Sequence, residues 1–180
     1  MQAVNKYLFL FSIFITMTCH TNASEDKNSV EAMRYVRSKI ITITSDLGSR
    51  VKHCTNEKER STPPKIDIEI VNSFGVEKYA IIHSIRHLSN RNFAKCEGSY
   101  RIELAYQLGI LKSLGTYYDV VLPPIDEIKE AIIYPTSQDI DAELAFNSLP
   151  QKAQDYFLKV VGEQPFDWLK TVTASKIIDE

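Results

Sequence analysis

The stretch 28–54, NSVEAMRYVRSKIITITSDLGSRVKHC, decides how this chain folds. Its apolar residues Met33, Val36, Ile40, Ile43, Leu47 and Val51 recur at intervals of three and four, which places them on one face of an α-helix. Asn28 with Glu31 three positions on has the spacing of an N-terminal cap, in which side chains satisfy amides that the first turn leaves free. The β-branched run Ile40-Ile41-Thr42-Ile43-Thr44 leans towards strand. A stripe sustained over several turns outweighs that local preference, so a long helix is expected. Cys54 falls near its C-terminal end, and the polar stretch 55–62 reads as a loop.

Downstream the helical period returns in shorter pieces. Ser61-Thr62-Pro63-Pro64 has the form of a capped helix start, since proline in the first turn sacrifices no hydrogen bond. Ile66, Ile70 and Phe74 step as a helix that Gly75 would end, whereas Ile66, Ile68 and Ile70 alternate as a short edge strand would; helix is the preferred reading. Ile81, Ile82, Ile85 and Leu88 are again helical, Asn90 to Asn92 reads as a break, and Leu104, Leu108, Leu111 and Leu114 carry the next helix to Gly115. Cys96 is then expected near the start of that helix. After an irregular connection at 116–122, Pro123-Pro124 opens a run through Ile125, Ile128 and Ile132 that Pro135 ends. Ser137 caps a segment from Asp139 to Asn147. Pro150 starts another through Phe157 and Val161, which Gly162 stops, and Pro165 begins the last, with Phe166, Leu169 and Val172 on one face. The expected fold class is all-α, a bundle or array of six to eight helices with at most one short strand pair and one disulfide.

Upstream of this region the chain has a different character. Lys6 precedes the compact apolar run from Tyr7 to Met17, and the small residues Thr21 and Ala23 follow. A positive start, a short greasy segment and a small-residue site in that order read as a secretory signal peptide, residues 1–23, ahead of one exported helical domain, residues 24–180. The apolar run is too short for a membrane-spanning helix, which needs about 20 such residues, so no transmembrane anchor is expected after cleavage. Lipid attachment at Cys19 is the alternative, although Thr16-Met17-Thr18-Cys19 lacks the aliphatic and small residues of a lipobox.

Cleavage also settles the cysteine count. Of three cysteines, removal of Cys19 leaves Cys54 and Cys96, and in an oxidising compartment such a pair is read as a disulfide. Closing a loop of this length is worth on the order of 4 kcal/mol in the chain-entropy picture. There is no Cys-x-x-Cys spacing, which argues against a thiol oxidoreductase or a four-cysteine zinc site. With 44% hydrophobic and 24% charged residues the chain suits an ordinary folded domain, and its formal net charge of −2 supplies no basic field to recruit nucleic acid. No internal repeat of fixed period is evident.

One segment has chemical interest, His83-Ser84-Ile85-Arg86-His87. Imidazoles four apart project from the same helix face and could reach one metal ion. The zinc-protease pattern His-Glu-x-x-His has a glutamate where this chain has Ser84, and a third ligand would have to come from His53, Glu97 or Glu103, with no spacing rule to select one. A metal-dependent hydrolase using His83 and His87 is therefore kept as the alternative, and no cofactor is expected. The preferred reading takes His83, Arg86, His87, Asn90 and Arg91, with Lys78 and Lys95 extending the charge, as an anion or partner face. Arginine offers a planar fork to carboxylate or phosphate, and imidazoles gain charge below about pH 6.5. Such a face also suits a solvated surface paired with Glu77, Glu97 or Glu103.

Other arrangements carry no assignment. Asp126 with Glu127, Asp139 with Asp141 and Asp179 with Glu180 are carboxylate pairs of the kind common at helix starts and tails. Tyr117-Tyr118 and Phe166-Asp167-Trp168 are read as core and rim aromatics. The functional expectation is a small exported helical protein, periplasmic or secreted and non-enzymatic. It would bind an envelope protein or an anionic envelope ligand, with Cys54 and Cys96 as its staple.

Overall fold

Residues 27–133 and 137–177 are described by the structure, a computed structural model. The proposed signal peptide, Cys19 and Pro135 lie outside the described residues, as do the side chains of Asn28 and Ser137. Among the described residues every regular element is a helix: α1 (Lys27–Arg60), α2 (Ile68–Ser73), α3 (Lys78–Glu97), α4 (Tyr100–Tyr117), α5 (Ile125–Ile133), α6 (Ser137–Asn147), α7 (Gln151–Val161) and α8 (Trp168–Ala174). The all-α expectation holds, and the alternation of Ile66, Ile68 and Ile70 does not produce a strand.

Two hydrophobic clusters form the interior. In the first, Met33, Val36, Ile40, Ile43 and Leu47 of α1 meet Leu104, Leu108 and Leu111 of α4 and Ile125 of α5. The stripe of three and four steps thus buries its apolar face along much of the helix, as an amphipathic helix must. In the second, Val71 of α2, Ile81, Ile85 and Leu88 of α3, Phe146 of α6, Ala153 and Phe157 of α7 and Val172 of α8 close around Phe166. The clusters meet at the C-terminal end of α3. There Cys54 and Cys96 form a disulfide with Cα atoms 5.9 Å apart, within the ordinary range for such a bridge. Next to it Arg50 Nε donates to the Cys96 carbonyl at 2.6 Å. The neighbouring carboxylate of Glu97, buried and only 2% exposed, is gripped by Arg101 of α4 in a two-pronged ion pair. Arg101 also donates to the Ile132 carbonyl at 2.8 Å, which ties the end of α5 to the same point.

Several boundaries differ from expectation, each for a physical reason. Helix α1 runs six residues past Cys54 to Arg60, so the polar stretch after the cysteine is mostly helix, partly to fully exposed. Pro63 and Pro64 start nothing. The segment stays non-helical to Asp67, whose carboxylate accepts from the amides of Glu69 and Ile70 and so caps α2. Helix α3 continues through Asn90 to Asn92 without a break, because Asn92 is buried and donates to the carbonyls of Gly162 and Gln164, both at 3.0 Å. Cys96 consequently sits in the last turn of α3 and not at the start of the next helix. Gly115 does not stop α4, which runs to Tyr117; glycine is needed there because a Cβ would collide with the Leu122 side chain as the chain folds back. The last helix is capped by Asp167, which accepts from the amides of Leu169 and Lys170. Phe166 therefore anchors the core from outside the helix, and Leu169 faces solvent.

Candidate functional site

The polar row of α3 lies against α6, its principal packing partner. Helix α6 buries Ala142 and Phe146, and that register turns Glu143 and Asp139, one and two turns before Phe146, towards the charges of α3. Asp139 is the centre of the contact. Its Oδ1 accepts from Arg86 Nη2 at 3.2 Å and from Asn90 Nδ2 at 2.7 Å, and the ion pair is three-quarters buried on both sides. Trp168 at the start of α8 lies under the Arg86 guanidinium, 6.0 Å from ring centre to Cζ. Arg86 is thereby fixed to two helices and has little freedom left to receive an outside group.

His87 stacks on Phe146 with ring centres 5.2 Å apart and planes inclined by 21°. Burial in that stack lowers its pKa below the usual imidazole value; Glu143 opposes the shift and the Arg91 charge adds to it. The ring is thus held neutral near pH 7, since burial disfavours the charged form. His83, one turn earlier, lies 4.0 Å from the ring of Tyr79, and Tyr79 itself is 63% exposed. Its Nδ1 is enclosed and has no hydrogen-bond partner. At the other end of the row Arg91 donates from Nη2 to Asn92 Oδ1 at 3.2 Å, while its Nε is also enclosed without a partner. Lys95 pairs at 3.0 Å with Glu163, whose carboxyl is held below its usual pKa by that lysine and, more weakly, by Arg91.

The five residues named from the sequence therefore share one face but not one environment. Arg86 and Asn90 are joined through Asp139, His87 is packed, and His83 and Arg91 keep unsatisfied atoms at either end. Pairing with Glu77, Glu97 or Glu103 does not occur for the basic groups of this row; the acids that meet them are Asp139 and Glu163. Among the described residues the metal reading finds no third ligand. Glu97 is taken by Arg101, His53 and Glu103 are exposed on other helices, and among the described residues no three His, Cys, Asp or Glu side chains come together as a metal-binding group. Asp139, Glu143 and Phe146 are the members of the site that sequence reasoning missed. They lie some fifty residues along the chain from their partners, and no local pattern links the two segments.

An open groove of about 440 Å³ lies elsewhere, between the end of α4 and the start of α5. Lys112 pairs with Asp126 in it, Asp119 and Glu127 add further carboxylates, and no residue of α3 lines it.

Fold and face together define a disulfide-linked, all-helical protein with a half-buried basic face and no helix, among the described residues, long and apolar enough to cross a membrane. The chain matches no family model, and no curated protein or solved structure shows significant similarity to it.

Proposed function

We propose that this chain is an exported helical protein of the cell envelope, periplasmic or secreted, that binds an anionic group of a macromolecular partner on the α3 face and catalyses no reaction. The observation that carries the reading is the pair of enclosed, unpartnered atoms, His83 Nδ1 and Arg91 Nε. A buried polar group without a partner costs about 1–3 kcal/mol. Acceptors brought by a partner would remove that cost once the side chains enclosing these atoms move aside, since Arg91 is cationic and His83 can present its proton on Nδ1. Export is supported by the Cys54–Cys96 bridge, because disulfides persist in oxidising compartments. This reading is preferred to a metal-dependent hydrolase on His83 and His87, which needs three protein ligands and an open position.

The test is native mass spectrometry of the protein recovered from its own host's envelope. The expected species is a chain beginning at Ser24, two hydrogens lighter than the reduced mass, with a bound partner. Arg91→Gln together with His83→Gln should lose the partner or bind it with a flatter salt dependence, as expected when charge drives recognition. Full-length precursor in the cytoplasm, or partner binding that both substitutions leave unchanged, would overturn the proposal. Stoichiometric zinc lost on replacing His87 would restore the hydrolase alternative.

A further inference from the structure

Helix α6 is attached to the rest of the molecule in an unequal way. Its C-terminal end is tied to α7, where Gln154 Nε2 donates to the carbonyls of Asn147 and Leu149 at 3.3 and 2.9 Å. The described polar contacts of its remaining length are the links from Asp139 to Arg86 and Asn90, and its main packing surface is α3. Between these two points the inner face of α6 buries Ala142 and Phe146, and Phe146 stacks on His87 at the edge of the second cluster. The outer face of α6 makes no core contact: Ile140 and Leu144 are 46% and 61% exposed. The helix thus covers the basic row, held at its C-terminal end by Gln154, along its inner face by Ala142 and Phe146 and nearer its start by Asp139, with a titratable ring beneath it.

We propose that α6 is an acid-released latch on the α3 face, opened by protonation of His87. A charge on the ring must be accommodated between the apolar face of Phe146 and the guanidinium of Arg91 one turn away. Of the charged groups around it, Glu143 of α6 favours the imidazolium and Arg91 of α3 opposes it. Asp139 and Arg86, the next pair along the interface, neutralise one another. Helix α8 contributes uncharged Trp168 at this point, and Glu163, after α7, faces Lys95 and Arg91. Burial outweighs Glu143, so the docked ring has a lower proton affinity than the undocked one. The sign follows directly. Docking of α6 is complete above about pH 6.5, the value for a free imidazole, and weakens as pH falls from there towards the lower pKa of the docked ring. Opening would release Arg86 and Asn90 from Asp139 and add an imidazolium to the row, so the face would gain anion-binding groups as it is uncovered. That last consequence rests on the function proposed above; the latch itself does not.

Hydrogen exchange of the intact, oxidised protein tests it, corrected for intrinsic rates and with the α1 and α4 amides as internal control. Protection of the α6 amides should fall by up to about tenfold per pH unit below pH 6.5 while the control stays level. His87, followed by NMR, should titrate below 6.5. Glu143→Gln should lower the His87 pKa further and deepen the loss of α6 protection in acid while leaving its onset near pH 6.5, and His87→Phe, which keeps an aromatic on Phe146, should abolish the pH dependence. Flat α6 protection down to pH 5, a His87 pKa at or above 6.5, or pH dependence that survives His87→Phe would overturn the latch. The direct titration and Glu143→Gln decide the matter even if His87→Phe fails to fold. Sulfate, whose charge is constant over this range, probes the consequence: tighter binding at pH 5.5 than at 7.5 supports both readings. Opening without tighter sulfate binding upholds the latch and overturns the anion-binding face.

Discussion

The two halves of the interior are built on different rules. The cluster shared by α1, α4 and α5 is an apolar seam between long helices, filled by Met, Val, Ile and Leu at regular steps. The cluster around α3 gathers four shorter helices and three buried phenylalanines, and it is threaded with polar ties. Ser89 donates to the Phe166 carbonyl at 2.7 Å, Asn92 to those of Gly162 and Gln164, the amide of Ile66 to Ser175 Oγ at 2.9 Å, and the amide of Asp67 to the Tyr156 hydroxyl at 2.8 Å. The reason is geometric. Every helix leaves unpaired amides and carbonyls at its ends, so several short helices bring more such groups to the interior than two long ones. Ser89 and Asn92 of the central helix satisfy three of them, and Ser175 and Tyr156 the two before α2. Long helices are specified by periodicity, and short ones by who hydrogen-bonds to their ends.

That contrast can be broken at the core itself. Phe157→Ala in the second cluster should cost about 3–5 kcal/mol and Leu108→Ala in the first about 2–5 kcal/mol, both residues being fully buried. Urea denaturation followed by both far-UV and near-UV signals shows whether the two clusters unfold together. Coincident curves for both variants would mean that the junction makes one cooperative unit of them; a second transition in either would mean that the clusters are separable.

The junction comes next in size. Cys54→Ala should lower stability by about 2–4 kcal/mol in oxidising buffer and much less in reductant, where the bridge is already open. Equal losses in the two buffers would mean that packing of the wholly buried Cys54 side chain, and not the crosslink, holds the clusters together.

Smaller again is the polar contribution. Asn92→Ala, which strands the Gly162 and Gln164 carbonyls, should cost about 1–3 kcal/mol and raise hydrogen exchange in α7 and α8 while leaving α1 and α4 protected. A uniform loss across both clusters would erase the distinction drawn between them.

The same contrast governs how much was legible beforehand. The α1 stripe reads straight from Met33 to Leu47 because steps of three and four are local facts, and the α4 leucines read equally well. Asn90 to Asn92 misleads because asparagine is a frequent breaker in isolation, yet here Asn92 is a buried donor whose acceptors lie about seventy residues on. Pro63-Pro64 misleads in the opposite sense: proline tolerates a helix start without compelling one, and the cap that forms is Asp67. Gly115 looks like a stop signal and is a contact. On the α3 face, membership of one row was legible from the spacing of His83, His87 and Arg91. The pairing was not, since the acid that meets Arg86 belongs to a helix distant in sequence.

What the sequence determined by itself is the part that neighbouring residues enforce: a mainly helical class, the buried stripe of α1, and the Cys54–Cys96 pairing once residues 1–23 are set aside. Only the tertiary structure decided that α6 covers α3, that Asp139 occupies Arg86 and Asn90, that Phe146 sits on His87, and that His83 and Arg91 keep unsatisfied atoms. Periodicity states which side of a helix turns inward; which helix it meets there depends on how all of them pack at once, and that is also where a charge finds its partner or fails to.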